Sequence, residues 1–283
     1  HRDMRIIVIA SWAPGIEKVA EKYEMCKFYY IKTPYIFRKV INAFNFFYGK
    51  ITGEYDHLPS YFHHKTRKIL KSINADCIIV EHGIYNHFGF LNTMFDRNRI
   101  YLHIHGVGTL PDRMTQETYG NIIGVSDYVT ETWKKNYSKQ FNTNFFTCYN
   151  GINSDLFMKK ISETERMKLR EEFGVKSNDL LIIYCGRIVE IKGVLELVSA
   201  VLKIDEGVKL MIVGSPNFKD KRASQYLKEI MRTCNNSDKF FFTGYVDNFL
   251  LYKYYQIADI QAIPSLCDEG AGLVGIEGMM SGL

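Results

Sequence analysis

The sequence predicts an α/β protein of two doubly wound domains, each with a parallel sheet between layers of helices. Short β-branched apolar runs alternate with longer amphipathic stretches along the chain, the pattern of parallel sheets whose crossovers are helices. The 283 residues suffice for two domains of about 100–200 residues each. Residues 1–155 contain 19 of the 36 basic residues and 14 of the 31 acidic residues, whereas residues 156–283 contain 17 of each. We therefore expect an N-terminal domain at 1–155 and a C-terminal domain at 156–283.

In the first half, continuous runs of aliphatic and aromatic residues predict strands that are buried in a parallel sheet. These strands are expected at 5–10, 27–31, 77–80, 100–104, 122–125 and 144–149. Apolar residues at helical spacing predict helices at 15–23, 35–48 and 61–73. Ser126 is a suitable N-cap for a further helix that ends near position 137.

The second half repeats this scheme. Strands are expected at 180–185, 208–213, 239–243 and 260–263, and helices at 162–173, 194–202, 223–234, 247–257 and 272–281. Ser162 and Glu165 form a capping-box pattern at the start of the first of these helices. A doubly wound sheet normally continues with another strand after such a helix, so we expect the C-terminal domain to be incomplete at position 283.

Composition excludes several classes of protein. Hydrophobic residues make up 46% and charged residues 24% of the chain, the balance of a globular protein. No uncharged apolar run approaches the roughly 20 residues that cross a bilayer. The net charge of +5 is small and unclustered, which argues against nucleic-acid binding. The six cysteines lack a CxxC pair or metal-ligand spacing, so we expect free thiols, a reducing cytoplasmic compartment and no metal site.

Two cationic residues flank a predicted strand-to-helix loop in the second half. Gly186-Arg187 closes the strand at 180–185, and Lys192-Gly193 opens the next helix. Backbone N–H groups and the helix dipole favour an anion at a helix N-terminus, and arginine and lysine add charge-assisted hydrogen bonds. This motif is therefore an anion site that suits a diphosphate. Taken by itself, it is equally consistent with two solvated surface residues.

Two carboxylates stand eight positions apart around a glycine-rich turn near the end of the chain. Glu269 lies in the loop after the strand at 260–263, and Glu277 lies in the helix that begins at Gly272. Gly270 and Gly272 let a ligand approach the backbone, whose amide groups then point at it. Carboxylates on either side of a phosphate group can accept hydrogen bonds from hydroxyls, which matches a sugar–diphosphate–ribose ligand. In the alternative interpretation, both carboxylates lie on solvated surfaces.

Residues 185–200 and 263–282 together resemble the donor-binding signatures of retaining GT-B glycosyltransferases of family 4, the glycosyl transferases group 1. The segments 150–152 and 244–246 resemble that family's interdomain segment and base-binding loop. The resemblance implies two Rossmann-like domains facing a cleft, the first binding the acceptor and the second the nucleotide-sugar donor. It also implies that a sugar moves, with retention, from a nucleotide diphosphate sugar, UDP or GDP, to an acceptor hydroxyl.

The resemblance implies a role for each of four charged residues. Arg187 and Lys192 bind the donor diphosphate and stabilise the leaving nucleotide. Glu269 binds the transferred sugar near the reacting centre, and Glu277 binds the ribose hydroxyls. No Asp-x-Asp triplet ends a strand, so we expect the two cations to replace a metal and the enzyme to need no cofactor. No carboxylate nucleophile is evident, and we expect a front-face route in which the departing phosphate helps to deprotonate the acceptor.

Further donor contacts follow from the resemblance alone. Gly272 and Leu273 supply backbone contacts to the phosphate or the sugar. Tyr245 and Val246 border the nucleotide base. Gly15 lies in a loop that resembles the family's first glycine loop, where two adjacent glycines are usual and this chain has a single one.

The resemblance also implies a catalytic histidine in the first half. His105 follows the strand at 100–104 and matches the family's active-site histidine, which faces the donor sugar. His103 is its rival, but it alternates within the strand and is expected to pack. The set implied as catalytic is therefore His105, Arg187, Lys192 and Glu269.

The acceptor is suggested by the segment 35–50, which is rich in aromatic and basic residues. A basic amphipathic helix can rest on an anionic membrane surface, here the inner face of the cell membrane. That would suit a lipid-linked sugar acceptor, as in the synthesis of bacterial surface polysaccharides or glycoconjugates. The alternative, which we prefer slightly, is a helix packed between the sheet and solvent.

Two other functions are compatible with a pair of Rossmann-like domains. One is a catalytically inactive partner subunit that binds a nucleotide sugar; the complete set of cations and carboxylates argues against it. The other is a dinucleotide-dependent oxidoreductase, and the first strand-to-helix loop lacks the GxGxxG pattern that this class requires.

Overall fold

The computed structural model describes residues 4–52, 60–81, 85–108, 111–204, 206–216 and 221–283. The chain divides into two compact units, His1–Cys148 and Tyr149–Leu283, which we call the N-terminal and C-terminal units. This boundary lies slightly before the position expected from the charge distribution. The reason is Ile152, which precedes the expected boundary but packs against the core of the C-terminal unit that contains Phe157.

The N-terminal unit contains strands β1 (Ile6–Ser11), β2 (Cys26–Ile31), β3 (Ile78–Val80), β4 (Ile100–Ile104), β5 (Asn121–Gly124) and β6 (Asn144–Thr147). The helices among its described residues are α1 (Ile16–Ala20), α2 (Tyr35–Thr52), α3 (Tyr61–Leu70), α4 (Arg113–Thr118) and α5 (Asp127–Lys135). The described part of this unit also contains 3₁₀ segments at Tyr85–Thr93, Arg97–Arg99 and Lys139–Phe141.

The strands of the N-terminal unit form two sheets, where the sequence predicts one. Strands β3, β4, β5 and β6 make a parallel sheet in that order, and β1 pairs in parallel with β2 in a separate sheet. Strand β3 has three residues, so its outer edge offers few backbone groups to a further neighbour. The predicted cap of α5 is confirmed, because Ser126 Oγ accepts a hydrogen bond from the Val129 amide.

The C-terminal unit contains strands β7 (Leu180–Cys185), β8 (Val208–Val213), β9 (Phe240–Gly244) and β10 (Ile260–Gln261). Its helices among the described residues are α6 (Ser154–Phe157), α7 (Glu163–Glu172), α8 (Val194–Val201), α9 (Lys221–Cys234), α10 (Leu251–Ile257) and α11 (Leu273–Ser281). Two 3₁₀ segments lie at Glu190–Lys192 and Asn248–Leu250. The strands form one parallel sheet in the order β10-β7-β8-β9.

Alternate residues of the central strands fill two cores, one on each face of this sheet. Leu181 and Ile183 of β7 pack with α6 and α10, whereas Ile182 and Tyr184 pack against α8 and α9. Since side chains alternate across a strand, a run that is apolar throughout must be covered on both faces. This confirms the doubly wound arrangement predicted for the second half.

A buried arginine attaches β10 to β7 and so positions the loop that follows β10. Arg170, 5% exposed, donates hydrogen bonds to Asp259 Oδ2 and to the carbonyl oxygens of Ile257 and Asp179, at 2.6–2.9 Å. Asp259 Oδ2 also accepts from the Leu181 amide at 2.8 Å. Burial raises the pKa of Asp259, but the Leu181 amide and the charges of Arg170 and Arg166 outweigh burial and lower that pKa overall. The carboxylate therefore stays ionised beside its partners.

Helix α2 exposes an apolar stripe to solvent on one side and packs through the other. Ile36, Val40, Phe47 and Ile51 are 63–85% exposed. At 100° per residue these four side chains lie within about 60° of one another on the helix. The opposite side is the packed one, and Asn45 is buried there. Sequence periodicity identified the apolar stripe but could not say which face meets the protein.

Candidate active site

The site residues of the C-terminal unit lie where the parallel strands end. Arg187 follows β7, Tyr245 follows β9, and the loop that carries Glu269 follows β10. The strand ends are tied together by backbone hydrogen bonds, including Gly186 N to Val213 O at 3.0 Å. Because parallel strands share one carboxyl edge, residues as far apart in sequence as Arg187 and Glu269 come to the same side of the sheet.

Lys192 and Glu269 form an ion pair at this edge. Lys192 Nζ lies 2.5 Å from Glu269 Oε1, and Ser265 Oγ donates to the same oxygen at 2.5 Å. The lysine side chain is 18% exposed and that of the glutamate 34%. Burial raises the pKa of Glu269, but the hydrogen bonds from Lys192 and Ser265 and the charges of Lys192 and Arg187 lower it further than burial raises it. The carboxylate is therefore held ionised, with a lysine fixed against it.

Close packing of two loops holds this ion pair in place. Gly193 has φ of +65°, and a Cβ atom there would lie 2.0 Å from the carbonyl oxygen of Pro264. The Leu266 amide donates to the carbonyl of Ile191 at 2.9 Å. The loop after β7 and the loop after β10 are thus in direct backbone contact, and glycine is required at 193 for that contact.

Arg187 presents an exposed guanidinium beside the ion pair. Its charge contributes to the low pKa of Glu269. The Tyr184 hydroxyl donates to the Arg187 carbonyl at 2.7 Å and fixes the backbone at the end of β7. Burial is the main cause that raises the pKa of Tyr184, so this hydroxyl remains a donor. Two cations and one carboxylate therefore lie together at the end of β7.

Glu277 reaches the same strand end from α11. Its Oε2 accepts a hydrogen bond from the hydroxyl of the fully buried Tyr255 at 3.0 Å. Burial raises the pKa of Glu277, and the Tyr255 hydrogen bond reduces the effect. The Glu277 charge also helps to raise the pKa of the Cys185 thiol, in which burial is the largest factor, so the carboxylate lies near the last residue of β7. The half-buried carboxylate is fixed in direction by a buried tyrosine.

The remaining predicted donor residues lie at the same edge with different degrees of burial. Gly272 adopts the left-handed conformation, with φ of +60°, immediately before Leu273 begins α11. Tyr245 is 78% exposed. Val246 is half-buried and packs against the core of the C-terminal unit.

The predicted residues of the N-terminal unit are His105 and Gly15. His105 Nε2 lies 3.3 Å from Glu81 Oε2, and His103 Nδ1 lies 2.9 Å from the same oxygen. The Trp133 indole donates to the carbonyl of Gly106 at 3.1 Å and fixes the chain after His105. His103 does pack, as expected from its place in the strand, but it also shares a carboxylate with His105.

Gly15 lies in the loop between β1 and α1. Its φ is +82°, and an added Cβ atom would find open space. The conformation favours glycine, while the surroundings impose no close contact. This differs from Gly193, where both conformation and space require glycine.

Sequence comparison identifies the family of most of the C-terminal unit. Residues 165–283 match the family described as Glycosyl transferases group 1. Residues 165–283 are a glycosyl transferases group 1 domain. All of the candidate residues except Gly15 and His105 lie within this group 1 domain.

Several relatives match parts of the chain, including two glycosyltransferases. An uncharacterized glycosyltransferase of Methanocaldococcus jannaschii is 33% identical over 159 residues, which cover 54% of this chain and 39% of that protein. The D-inositol 3-phosphate glycosyltransferase of Xylanimonas cellulosilytica is 30% identical over 134 residues, or 47% of this chain and 32% of that protein. The chain thus covers less than half the length of either relative.

The fold extends the likeness to both units. The crystal structure of Anabaena HepE in complex with UDP and glucose matches with a TM-score of 0.71 at 16% identity, covering 98% of this chain and 71% of that one. The fold is therefore GT-B, with two Rossmann-like α/β units, as the sequence predicted.

Sequence reasoning missed three residues that support the site: Ser265, Tyr255 and Glu81. Ser265 and Tyr255 each hydrogen-bond to a glutamate that the motifs identified. Their patterns are unremarkable, since a serine in a loop and a tyrosine in a helix carry no chemical signature. Glu81 directly follows a predicted strand, and that position was an available signal.

Proposed function

We propose that this chain transfers a sugar from a nucleotide diphosphate sugar to an acceptor hydroxyl, with retention of anomeric configuration. The observation that carries the proposal is the Lys192–Glu269 ion pair, placed beside Arg187 at the carboxyl edge of a group 1 domain. A pyrophosphate needs cations, and the adjoining sugar needs hydrogen-bond acceptors. This edge offers both.

Lys192 is suited to stabilising a departing nucleotide. Its ammonium is held by Glu269 before the donor binds, so little reorganisation is needed when negative charge grows on the phosphate. Arg187 adds a second cation with the planar geometry that binds phosphate oxygens in pairs. We propose that these two residues take the electrostatic role of a metal and that transfer is metal-independent.

Glu269 and Glu277 suit the two sugars on either side of the diphosphate. We assign Glu269 to the hydroxyls of the transferred hexose and Glu277 to those of the ribose. On the family resemblance, His105 and Gly15 act at the transferred sugar and the donor. The departing phosphate deprotonates the acceptor hydroxyl from the front face, which forms the new glycosidic bond on the side from which the old one breaks.

The donor is proposed to be a UDP-sugar, with GDP as the rival nucleotide. HepE, solved with UDP and glucose, supports the first choice. Adding UDP-glucose to the full chain should raise its thermal unfolding midpoint, because a ligand at 100 times its dissociation constant stabilises by about 2.7 kcal/mol. The shift should persist in EDTA. Transfer from an α-linked donor should give an α-linked product by NMR.

Each outcome of that test is informative. No shift with UDP-, GDP-, ADP- or dTDP-sugars would refute the donor site, and a shift that requires a divalent metal would refute metal independence. A shift without turnover in the presence of acceptors would instead favour an inactive nucleotide-sugar-binding subunit.

The acceptor is proposed to be a lipid-linked sugar at an anionic membrane surface. The exposed apolar stripe of α2 supports this, since Lys39 and Lys50 flank it and lie 4.7 Å from the rings of Tyr35 and Phe46. Lysines beside an apolar stripe are typical of helices that lie in the headgroup layer. None of the described helices is long and apolar enough to cross a bilayer.

Replacing Ile36 and Phe47 together with serine should weaken binding to vesicles that contain phosphatidylglycerol by about tenfold or more, since each side chain would bury apolar surface in the bilayer. Sedimentation measures the bound fraction. Met231→Ser with Phe249→Ser removes two apolar residues of the C-terminal unit that are also more than half exposed, and should leave binding unchanged. Equal binding by both double variants, or no dependence on anionic lipid, would exclude the membrane contact.

A further inference from the structure

A cluster that includes the proposed catalytic residue His105 lies at the ends of two neighbouring strands of the N-terminal unit. In the parallel pairing of β3 with β4, Val80 is opposite Leu102. Glu81, the residue that follows β3, therefore comes beside His103 of β4. Because residues two apart on a strand point to the same face, His103 and His105 project together toward that carboxylate.

The three side chains are close enough to share one ion. Glu81 Oε2 lies 2.9 Å from His103 Nδ1 and 3.3 Å from His105 Nε2, and all three ligand atoms lie within 4.8 Å of one another. A tetrahedral zinc ion with bonds of about 2.0–2.2 Å holds its ligand atoms roughly 3.4 Å apart. Small side-chain movements would bring the cluster to that spacing.

One of the three side chains in this cluster is mostly buried, and the other two are open to solvent. The His103 side chain is 17% exposed, whereas those of His105 and Glu81 are 46% and 63% exposed. A cation can therefore enter from solvent and find one ligand already held in the sheet. Two imidazoles and one carboxylate are a ligand set that zinc uses when a fourth position stays open for water.

We propose that Glu81, His103 and His105 bind a divalent transition metal, with Zn²⁺ as the best fit. Among the described residues, this is the group of histidine, cysteine and carboxylate side chains that converges closely enough for one ion. Magnesium is a poor fit, because it favours oxygen ligands in an octahedron. The sequence offers no metal-ligand spacing here because the ligands come from two strands that are joined only by the register of the sheet.

Metal binding at this cluster would affect catalysis, a consequence that rests on the proposed function. His105 Nε2 is the atom that faces Glu81, and a bound ion would take its lone pair. Zinc at this site should therefore inhibit sugar transfer, although the transfer chemistry itself needs no metal.

Isothermal titration of the full chain with ZnCl₂ tests the site without any need for activity. We expect one zinc site. Its affinity should fall by at least about tenfold in His105→Ala and in Glu81→Gln, because removing even a hydrogen-bond partner of a metal ligand lowers metal affinity by that factor. The control is His64→Ala, which removes an exposed histidine of α3 in the same unit and should bind zinc as the wild type does. Bound Co²⁺ should show visible absorption that is lost in the same two variants.

Several results would overturn the site: no zinc binding by the wild type, unchanged affinity in His105→Ala and Glu81→Gln, or an equal loss in His64→Ala. Circular dichroism of each variant shows that the fold is retained; both substituted side chains are solvent-exposed, so neither is expected to disturb it. Failure of the proposed transferase activity would leave these binding results unaffected. If these titrations support the zinc site, sugar transfer tests the consequence for catalysis. Zinc should inhibit the wild type, EDTA should reverse that inhibition, and Glu81→Gln should show no zinc inhibition for EDTA to reverse.

Discussion

Replacing Lys192 with alanine should reduce sugar transfer by a factor of about 10²–10³, the usual effect of removing one group that stabilises transition-state charge. The Lys192 side chain is 18% exposed, and its ammonium is held against Glu269. Its loss removes one of the two cations proposed for the diphosphate. It also removes a charge that lowers the pKa of Glu269, so that carboxylate becomes easier to protonate. Initial rates with a UDP-sugar measure the loss of transfer, and the thermal shift that UDP produces measures the loss of diphosphate binding.

The matched control is Lys209→Ala. Lys209 is also a mostly buried lysine of the C-terminal unit, with its Nζ 2.7 Å from Asp238 Oδ2, but it lies near the opposite, amino-terminal end of β8. Loss of an ion pair as such should affect the two variants alike, whereas loss of the diphosphate site affects Lys192→Ala alone. Wild-type activity in folded Lys192→Ala, or an equal fall in Lys209→Ala, would remove Lys192 from the site.

The strands of the C-terminal unit could be predicted from sequence because they are covered on both faces. Continuous apolar runs correctly predicted β7 and β8 at both ends, Leu180–Cys185 and Val208–Val213. Such runs are typical of strands in a parallel sheet that helices cover on both faces. The motifs after these strands were found for the same reason, since the ends of buried strands mark where loops must begin.

Helix α4 (Arg113–Thr118) was missed because its sequence lacks an apolar stripe. Its residues are mostly polar, and the local signal for its start is Asp112, whose Oδ1 accepts a hydrogen bond from the Thr115 amide. A short helix of this kind is set by its cap and by the surfaces around it. Periodicity carries no information about either.

The pairing of Glu81 with His103 and His105 was missed for a different reason. The residues are more than 20 positions apart, and their contact depends on the register between β3 and β4. A shift of one residue would turn every side chain to the opposite face. Sequence pattern places these residues at strand ends but cannot supply the register.

Replacing Gly193 with alanine should destabilise the C-terminal unit by about 2–5 kcal/mol, through a left-handed backbone and a clash. The left-handed conformation, with φ of +65°, costs a non-glycine residue about 1–2 kcal/mol. The new Cβ atom would also lie 2.0 Å from the Pro264 carbonyl oxygen, so two loops must separate. Since Lys192 precedes this glycine, separation should also weaken UDP binding.

The Gly272→Ala variant is the control that separates the steric clash at position 193 from the energetic cost of a left-handed alanine. Gly272 has φ of +60°, but nothing lies within 4 Å of an added Cβ atom. The Gly272→Ala variant should therefore lose only about 1–2 kcal/mol of stability. Both tryptophans, Trp12 and Trp133, lie in the N-terminal unit, and their fluorescence in urea should be unchanged by either variant. Hydrogen exchange of β7 and β10 amides reports the C-terminal unit. Equal losses in the two variants would show that the Pro264 loop yields without cost, and the close packing inferred for the two loops that hold Lys192 and Glu269 would then be wrong.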